Sequence, residues 1–492
     1  MKRITWRKHH KWLGLCACFF ILMFSMSGLV LNHRYLFADI NVSRSLLPSR
    51  YYYKQWNGGL MRGTLEYVDE HSVKRVIVYG AGGIWITDTA ASRIHDFNKG
   101  LPAGADYRNI RNVVCTEHNI LFAASQYGLY RYGLHGQWAK VNIPNDDEDR
   151  LTDITCKDDT LVVASRSFLY VSAFPYKSFK KIQLKAAADY DGSVSLFRTV
   201  WLLHSGELFG TIGKLVVDAI AIVLIILCIS GFFCWILPIY KRYRRNRHGE
   251  HRHGSSRLAM FMGIWHDRVG RWTIVLTLFV AVTGWCLRPL LLIALVKAKT
   301  KALSGTTLSS ENAWNDRLRM IRYDDAFSDW LLSTADGFYS LRTLDDVPVR
   351  IADTPPVSVM GLNVLQKDDS GHWLCGSLSG MYIWDRLHAK SIDYFTHKPA
   401  QGKISAPFGK KAISGYSDDF HSKPFAVEYY DGTDAVCQPD RLSKLPMSLW
   451  NFALEVHSGR IYIGTIATFV FIFFTGIFIV WCLWSGWKIR RK

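Results

Sequence analysis

The ten cysteines contain no Cys-x-x-Cys pair, which excludes the common zinc and iron–sulfur spacings. Six of them (Cys16, Cys18, Cys228, Cys234, Cys286 and Cys482) fall inside apolar runs, where a thiol acts as a small hydrophobe. Acidic residues are also scarce, 41 against 60 Lys and Arg, for a net charge of +19. Such an excess can mark nucleic-acid binding or membrane orientation, and its placement decides between them. Here it clusters beside long apolar runs, which favours orientation and argues against a nucleic-acid partner.

Four runs are long enough to cross a bilayer, which needs about 20 residues. They are roughly Leu13–Leu31, Leu215–Ile239, Trp272–Val296 and Ile461–Trp484. The first follows a basic start (Lys2, Arg3, Arg7, Lys8, Lys11), as a signal peptide does, but no small-x-small cleavage site follows, so it reads as an uncleaved span. Basic residues also follow the second run, from Lys241 to Arg257, and close the chain at Lys488–Lys492. The excess of Lys and Arg places these segments in the cytoplasm. The expected organisation is a cytoplasmic N-terminus and first span (1–33), an outer region (34–203), the second span (204–240), a basic cytoplasmic loop (241–265), the third span (266–297), a second outer region (298–456), and the last span with a cytoplasmic C-terminus (457–492). Neither a Gly-x-Gly-x-x-Gly nor room for a nicotinamide or flavin domain exists in the cytoplasmic segments.

Two stretches repeat. His10, Gly14, Ser27 and Gly28 recur as His266, Gly270, Thr283 and Gly284, all displaced by 256 residues (266−10, 284−28). His204-Ser-Gly206 recurs as His457-Ser-Gly459, each followed by Gly-Thr-Ile. The chain therefore reads as two tandem copies of one membrane unit, forming a four-helix transmembrane bundle. His10 and His266 fall at the cytoplasmic ends of the odd spans, and His204 and His457 at the outer ends of the even ones. If the copies pack about a twofold axis, each pair faces itself.

Ionisable side chains in a membrane are costly and are functional candidates. Two facing imidazoles can hold a haem iron from both sides. The pairs His10/His266 and His204/His457 are thus candidate axial ligands of two haems. His9 and His33 rank second, because neither has a counterpart in the other copy: position 33 plus 256 is Pro289. Gly14, Gly28, Gly270 and Gly284 lie near the same helix stripes and are candidates for a groove beside a flat porphyrin. Arg7, Arg34, Arg268 and Arg460 are candidate propionate partners. The competing reading takes the glycines as helix-packing surface and the histidines as interfacial polar groups.

The two outer regions are rich in short strands. Leu121–Tyr130, Leu161–Tyr170, Trp330–Tyr339 and Trp373–Tyr382 share one pattern of strand, small-residue turn and strand, with looser copies at Trp85–Ile94 and Phe425–Val436. Spacing near 40 residues suits β-propeller blades, about six in one all-β domain shared by both halves. Cys115 and Cys156 stand at similar places in adjacent copies, where a disulfide and two free thiols are both open readings. Asp146-Asp-Glu-Asp149 reads as a solvated loop.

The spans resemble the PepSY-associated transmembrane family, through His10 with Trp12-Leu-Gly14, Ser27-Gly28, His204-Ser-Gly206, Ser230-Gly231, His266 with Gly270, Thr283-Gly284, His457-Ser-Gly459 and Thr475-Gly476. The resemblance implies an inner-membrane protein binding two b-type haems through His10, His204, His266 and His457, and reducing a periplasmic ferric siderophore or other ferric chelate. It implies membrane lipid, a quinol or another membrane or cytoplasmic electron donor, and a ferric chelate or periplasmic iron-binding protein as partners. The outer regions depart from that family, whose members usually carry α+β modules there. The alternative function is a non-enzymatic periplasmic ligand-binding sensor or assembly protein anchored by four spans.

Overall fold

The computed structural model describes the chain except residues 1, 2, 70, 134, 147, 148, 249–252, 289, 290, 293, 294, 296, 297, 359, 401–408, 410, 464 and 490–492. Asp147, Glu148, Gly464 and the C-terminal Arg490, Arg491 and Lys492 lie outside the described residues, as do Lys2, Arg252 and Pro289. Two compact units emerge, each assembled from separated parts of the sequence. One comprises Met1–Phe37, Gly192–Ser310 and Leu449–Lys492; the other comprises Ala38–Asp191 and Glu311–Ser448.

The first unit is helical. Its described helices are α1 (Arg3–Asn32), α2 (Leu196–Ser205), α3 (Gly210–His248), α4 (His253–Cys286), α5 (Leu449–His457) and α6 (Thr465–Lys488). Four of them are long and apolar enough to cross a membrane. With 30 residues, α1 is about 45 Å long, more than the roughly 30 Å hydrocarbon core. α1 and α3 run past both ends of their apolar runs, whereas α4 stops at Cys286, short of the expected Val296, and α6 begins at Thr465 rather than Ile461. Around the bundle, α1 packs on α3 and α6, and α4 also packs on α3 and α6, so α1 and α4 occupy a diagonal. Ala17, Ile21 and Cys228 form a buried apolar centre in the bundle.

The short helices α2 and α5 lead into the even spans. Each stops at a glycine with positive φ, Gly206 at 81° and Gly459 at 79°, the left-handed conformation that ends a helix at little steric cost. The turn leaves α2 lying against α4, and α5 against α1.

The second unit is all β. Among the described residues it holds five antiparallel four-stranded sheets, each with its strands in chain order, and two two-stranded ones. Their first strands are Gly63–Val68, Ile110–Cys115, Leu151–Lys157, Leu318–Asp324, Leu362–Lys367 and Ile413–Ser417. Each of these lies beside the next, and Gly63–Val68 also lies beside Ile413–Ser417. Side chains tie the neighbours together: Asn112 donates to Ile154 O (2.8 Å), Arg322 to Leu365 O (3.0 Å), Asn363 to Ile413 O (2.7 Å), and the Thr64 and Ser417 hydroxyls lie 2.7 Å apart. The Asp153 carboxylate accepts from Ile321 N (3.0 Å) and from Arg322. A short ladder, Asn41–Val42 with Met447–Ser448, joins the two ends of the unit.

Four of the repeated stretches fall on hairpins, such as Leu121–Ser125 with Gly128–Gly133 and Trp373–Ser377 with Gly380–Asp385. The looser copy at Trp85–Ile94 does not. The hairpin there is Lys74–Gly80 with Gly83–Thr87, so Trp85 sits in its second strand. The stretch from Phe425 supplies one strand, Phe425–Glu428, of the two-stranded sheet. Trp85, Trp330, Trp373 and Trp384 are buried between sheets and serve the core. Cys115 and Cys156 are both free thiols.

One clamp joins two sheets. Asp324 accepts from Trp373 Nε1 (2.8 Å), Lys367 Nζ (2.7 Å) and Arg386 (2.5 Å), and Arg386 also donates to Asp329 (2.8 Å). Burial alone would raise the Asp324 pKa. The Lys367, Trp373 and Arg386 donors outweigh it and hold the carboxyl below its ordinary range.

Candidate functional site

The bundle brings both matched histidine pairs together. The His10 and His266 ring centroids lie 5.9 Å apart, and those of His204 and His457 lie 6.0 Å apart. The diagonal placement of α1 and α4 accounts for the first pair. The second arises because α2 and α5 each deliver a histidine at their last turn.

All four rings are held in the same way. His10 Nδ1 lies 3.0 Å from Cys482 O, and His457 Nδ1 lies 3.0 Å from Phe24 O and 3.1 Å from Ser27 Oγ. His204 Nδ1 lies 3.1 Å from Val280 O and 3.3 Å from Thr283 Oγ1. His266 Nδ1 lies 3.0 Å from Ser230 Oγ. A carbonyl only accepts, so Nδ1 carries the hydrogen in His10, His204 and His457. The hydroxyls agree. Ser230, Ser27 and Thr283 donate to their own helix carbonyls at Ile226 (2.7 Å), Met23 (2.7 Å) and Phe279 (2.9 Å), so each accepts from its histidine. The hydrogen positions follow from these partners. With Nδ1 protonated, Nε2 of every ring is left with a lone pair.

Each ring also lies over a glycine of the neighbouring helix. A Cβ added at Gly284 would meet His204 Cε1 at 2.6 Å, and one at Gly28 would meet His457 Cε1 at 3.5 Å. At Gly486 it would meet His10 Cε1 at 2.8 Å, and at Gly231 it would meet His266 Cε1 at 3.1 Å. The unit of construction is thus one histidine against a hydroxyl-glycine pair: Ser27-Gly28, Ser230-Gly231, Thr283-Gly284 and Ser485-Gly486. Gly14 and Gly270 stand elsewhere, against Cys482 Sγ (3.4 Å) and Leu227 Cδ2 (3.6 Å). Ser485-Gly486 was missed in the sequence reading, and its only signal there is a hydroxyl-glycine dipeptide inside a span. In place of Ser485, Cys482 O takes the His10 bond, and Ser485 Oγ donates to that same carbonyl (2.8 Å).

The second-rank histidines lie apart from both pairs. His33 Nε2 is 2.6 Å from Asp218 Oδ2, and Asn32 donates to the other oxygen of the same carboxylate (3.1 Å). His9 accepts at Nδ1 from Trp481 Nε1 (3.3 Å). Among the arginines, Arg34 stacks on Trp450 (3.7 Å), Arg268 lies over Trp265 (5.5 Å), Arg460 pairs with Glu455 (2.5 Å) and Arg7 is exposed. Arg288, which the sequence reading passed over, donates to His457 O (2.8 Å) and stands at the second pair.

The donor set fits a metal bound between paired imidazoles. A metal–imidazole bond is about 2 Å long, so two rings on opposite sides of one ion have centroids roughly 6 Å apart. Anchoring of the distal nitrogen is the usual support of a ligating histidine. Among the described residues no group of three or more His, Cys, Asp or Glu stands ready to hold a metal ion.

Four helices long and apolar enough to cross a membrane define a multi-pass membrane protein. The family model of the PepSY-associated TM region matches residues 1–237 and again 136–491, and the chain belongs to that family. The curated proteins contain no match. Among solved structures, the extracellular domain of a one-component system from B. thetaiotaomicron is similar at 9% identity and a TM-score of 0.32. The extracellular domain of a hybrid two-component system from the same organism gives 10% and 0.30. Both alignments cover 74% of this chain, which spans 36% of the length of each.

Proposed function

We propose that the protein carries electrons across the bacterial inner membrane to a ferric chelate, such as a ferric siderophore, in the periplasm. The observation that carries this reading is the doubled pair of imidazoles at 5.9 and 6.0 Å, each with its Nδ1 tied down. His10 with His266, and His204 with His457, would each hold one b-type haem, which when bound supplies a one-electron carrier. The chain's own contribution is orientation. Carbonyls of Cys482, Val280 and Phe24 and the hydroxyl of Ser230 fix the tautomer, while the apolar spans exclude water. Ferric iron is a fitting acceptor, because reduction to Fe(II) weakens hard-oxygen ligation.

In this reading the termini lie in the cytoplasm, the β unit lies in the periplasm, and the two halves are tandem copies. The β unit is a propeller of six sheets. The adjacency of the six first strands, including Gly63–Val68 beside Ile413–Ser417, supports that arrangement.

The test is a reduced-minus-oxidised visible spectrum of the full chain purified in detergent. Bands of b-type haem at two per chain are expected, with His204→Ala or His457→Ala removing one and leaving the other. A colourless protein purified from haem-replete cells would overturn the reading in favour of a ligand-binding sensor or assembly protein.

A further inference from the structure

The first strands of the β-unit sheets line a polar cavity of about 220 Å³. Asn112, Arg322 and Gln366 reach it from three of those strands, Arg62 from the residue before Gly63–Val68, and Asp418 and Asp419 from just past Ile413–Ser417. The volume lies below the roughly 300–1,000 Å³ of drug-sized sites, so its occupant is small.

The lining holds charges of both signs that do not neutralise one another. Arg322 is committed to Asp153, whose carboxylate is fully buried. Arg62 donates to Asn109 Oδ1 (3.2 Å) and to Ile110 O, and among the described residues it meets no carboxylate. Asp418 accepts from Gln366 Nε2 (3.1 Å), and Asp419 from Thr64 Oγ1 and Glu66 N (3.1 Å). Among the described residues neither aspartate pairs with an arginine of the cavity. A guanidinium drawn from water without an opposite charge is costly, and adjacent carboxylates repel. Direct pairing across the cavity would relieve both, and the chain does not use it.

We propose that this cavity binds a free α-amino acid, its carboxylate on Arg62 and its ammonium on Asp418 and Asp419. A zwitterion brings one charge of each sign, which a simple carboxylate or a simple amine does not. Contact between a guanidinium and a carboxylate is charge-assisted and suits a planar fork. Water alone would fill the space and leave the separation of charge without a role. The proposal concerns the β unit alone and does not depend on electron transfer.

The test is isothermal titration calorimetry of the full chain in detergent with each proteinogenic L-amino acid. At least one is expected to bind, at one site per chain. Its methyl ester lacks the carboxylate charge and its N-acetyl derivative lacks the ammonium, and each should bind about tenfold more weakly or worse. Asp418→Asn should weaken the amino acid about tenfold and leave the N-acetyl derivative unaffected. Arg62→Lys keeps a cation, loses the fork, and should weaken the amino acid while leaving the methyl ester unaffected. Because the ester and N-acetyl comparison uses the unaltered chain, it stands even where a variant fails to fold. Binding of no amino acid, equal binding of either derivative, binding of acetate as tight as that of the amino acid, or unchanged binding in Asp418→Asn would overturn the proposal.

Discussion

Replacing Gly284 by Ala tests the histidine–glycine unit directly. The added methyl would stand 2.6 Å from Cε1 of His204 and 3.2 Å from both ring nitrogens, where ordinary contact is 3.4 to 4 Å. Relief requires the ring to retreat by about 1 Å, a strain on the order of 1–3 kcal/mol for overpacking. Retreat pulls Nδ1 from Val280 O and Nε2 from the axis shared with His457. Support lost behind a ligating histidine lowers affinity about 10–100-fold, so under the proposed di-haem function Gly284→Ala should lose the haem of the His204/His457 pair. Gly28→Ala is the matched control, because its methyl would stand 3.5 Å from His457, an ordinary contact. It should keep both haems. Haem per chain is counted by the pyridine haemochrome method and corroborated by low-spin EPR signals. Two unaltered haems in Gly284→Ala, or equal loss in both variants, would refute the reasoning.

Ser230→Ala removes the hydroxyl that accepts from His266 Nδ1, and haem titration should find binding at the His10/His266 pair about 10–100-fold weaker. Ser27→Ala, which leaves His457 its bond to Phe24 O, should act on the other pair in the same way, since His266 likewise keeps Leu227 O. His33→Ala should leave both haem signals in place, because that ring is committed to Asp218; loss of either signal would make His33 a ligand. In the β unit, Asp324→Ala leaves the buried Trp373 Nε1 without its acceptor and takes one of two carboxylates from Arg386, which keeps Asp329, and should cost about 1–3 kcal/mol in urea unfolding. The folded Asp324 pKa lies below the unfolded one, so its contribution is full at neutral pH and falls away as pH drops through the folded value. The acid limb of the stability curve should therefore flatten in that variant.

Sequence alone delivered the spans, because apolar runs near 20 residues have few other uses, and it delivered the histidines, because a shared spacing survives without any alignment. It did not deliver what holds them. Ser230-Gly231 and Ser485-Gly486 acquire meaning only when α3 is known to face His266 and α6 to face His10, and local periodicity contains no helix pairing. His33, a second-rank candidate by sequence, lies 2.6 Å from Asp218, a partner 185 residues away that no local pattern announces. Arg288 was hidden for the same reason, its partner being the carbonyl of His457. In the β unit the hairpins followed turn chemistry, whereas the neighbour of Gly63–Val68 lies some 350 residues on and leaves no local trace. The register at Trp85 was misread because one apolar strand looks much like the next.

The ladder of Asn41–Val42 on Met447–Ser448 has a consequence for biogenesis. A ribosome delivers the first of these strands about 400 residues before the second, with two membrane insertions between them. Until then the early sheets wait with bare edges, the state most open to aggregation and proteolysis. Slow maturation and the failure of either half expressed alone are what such late clasping entails.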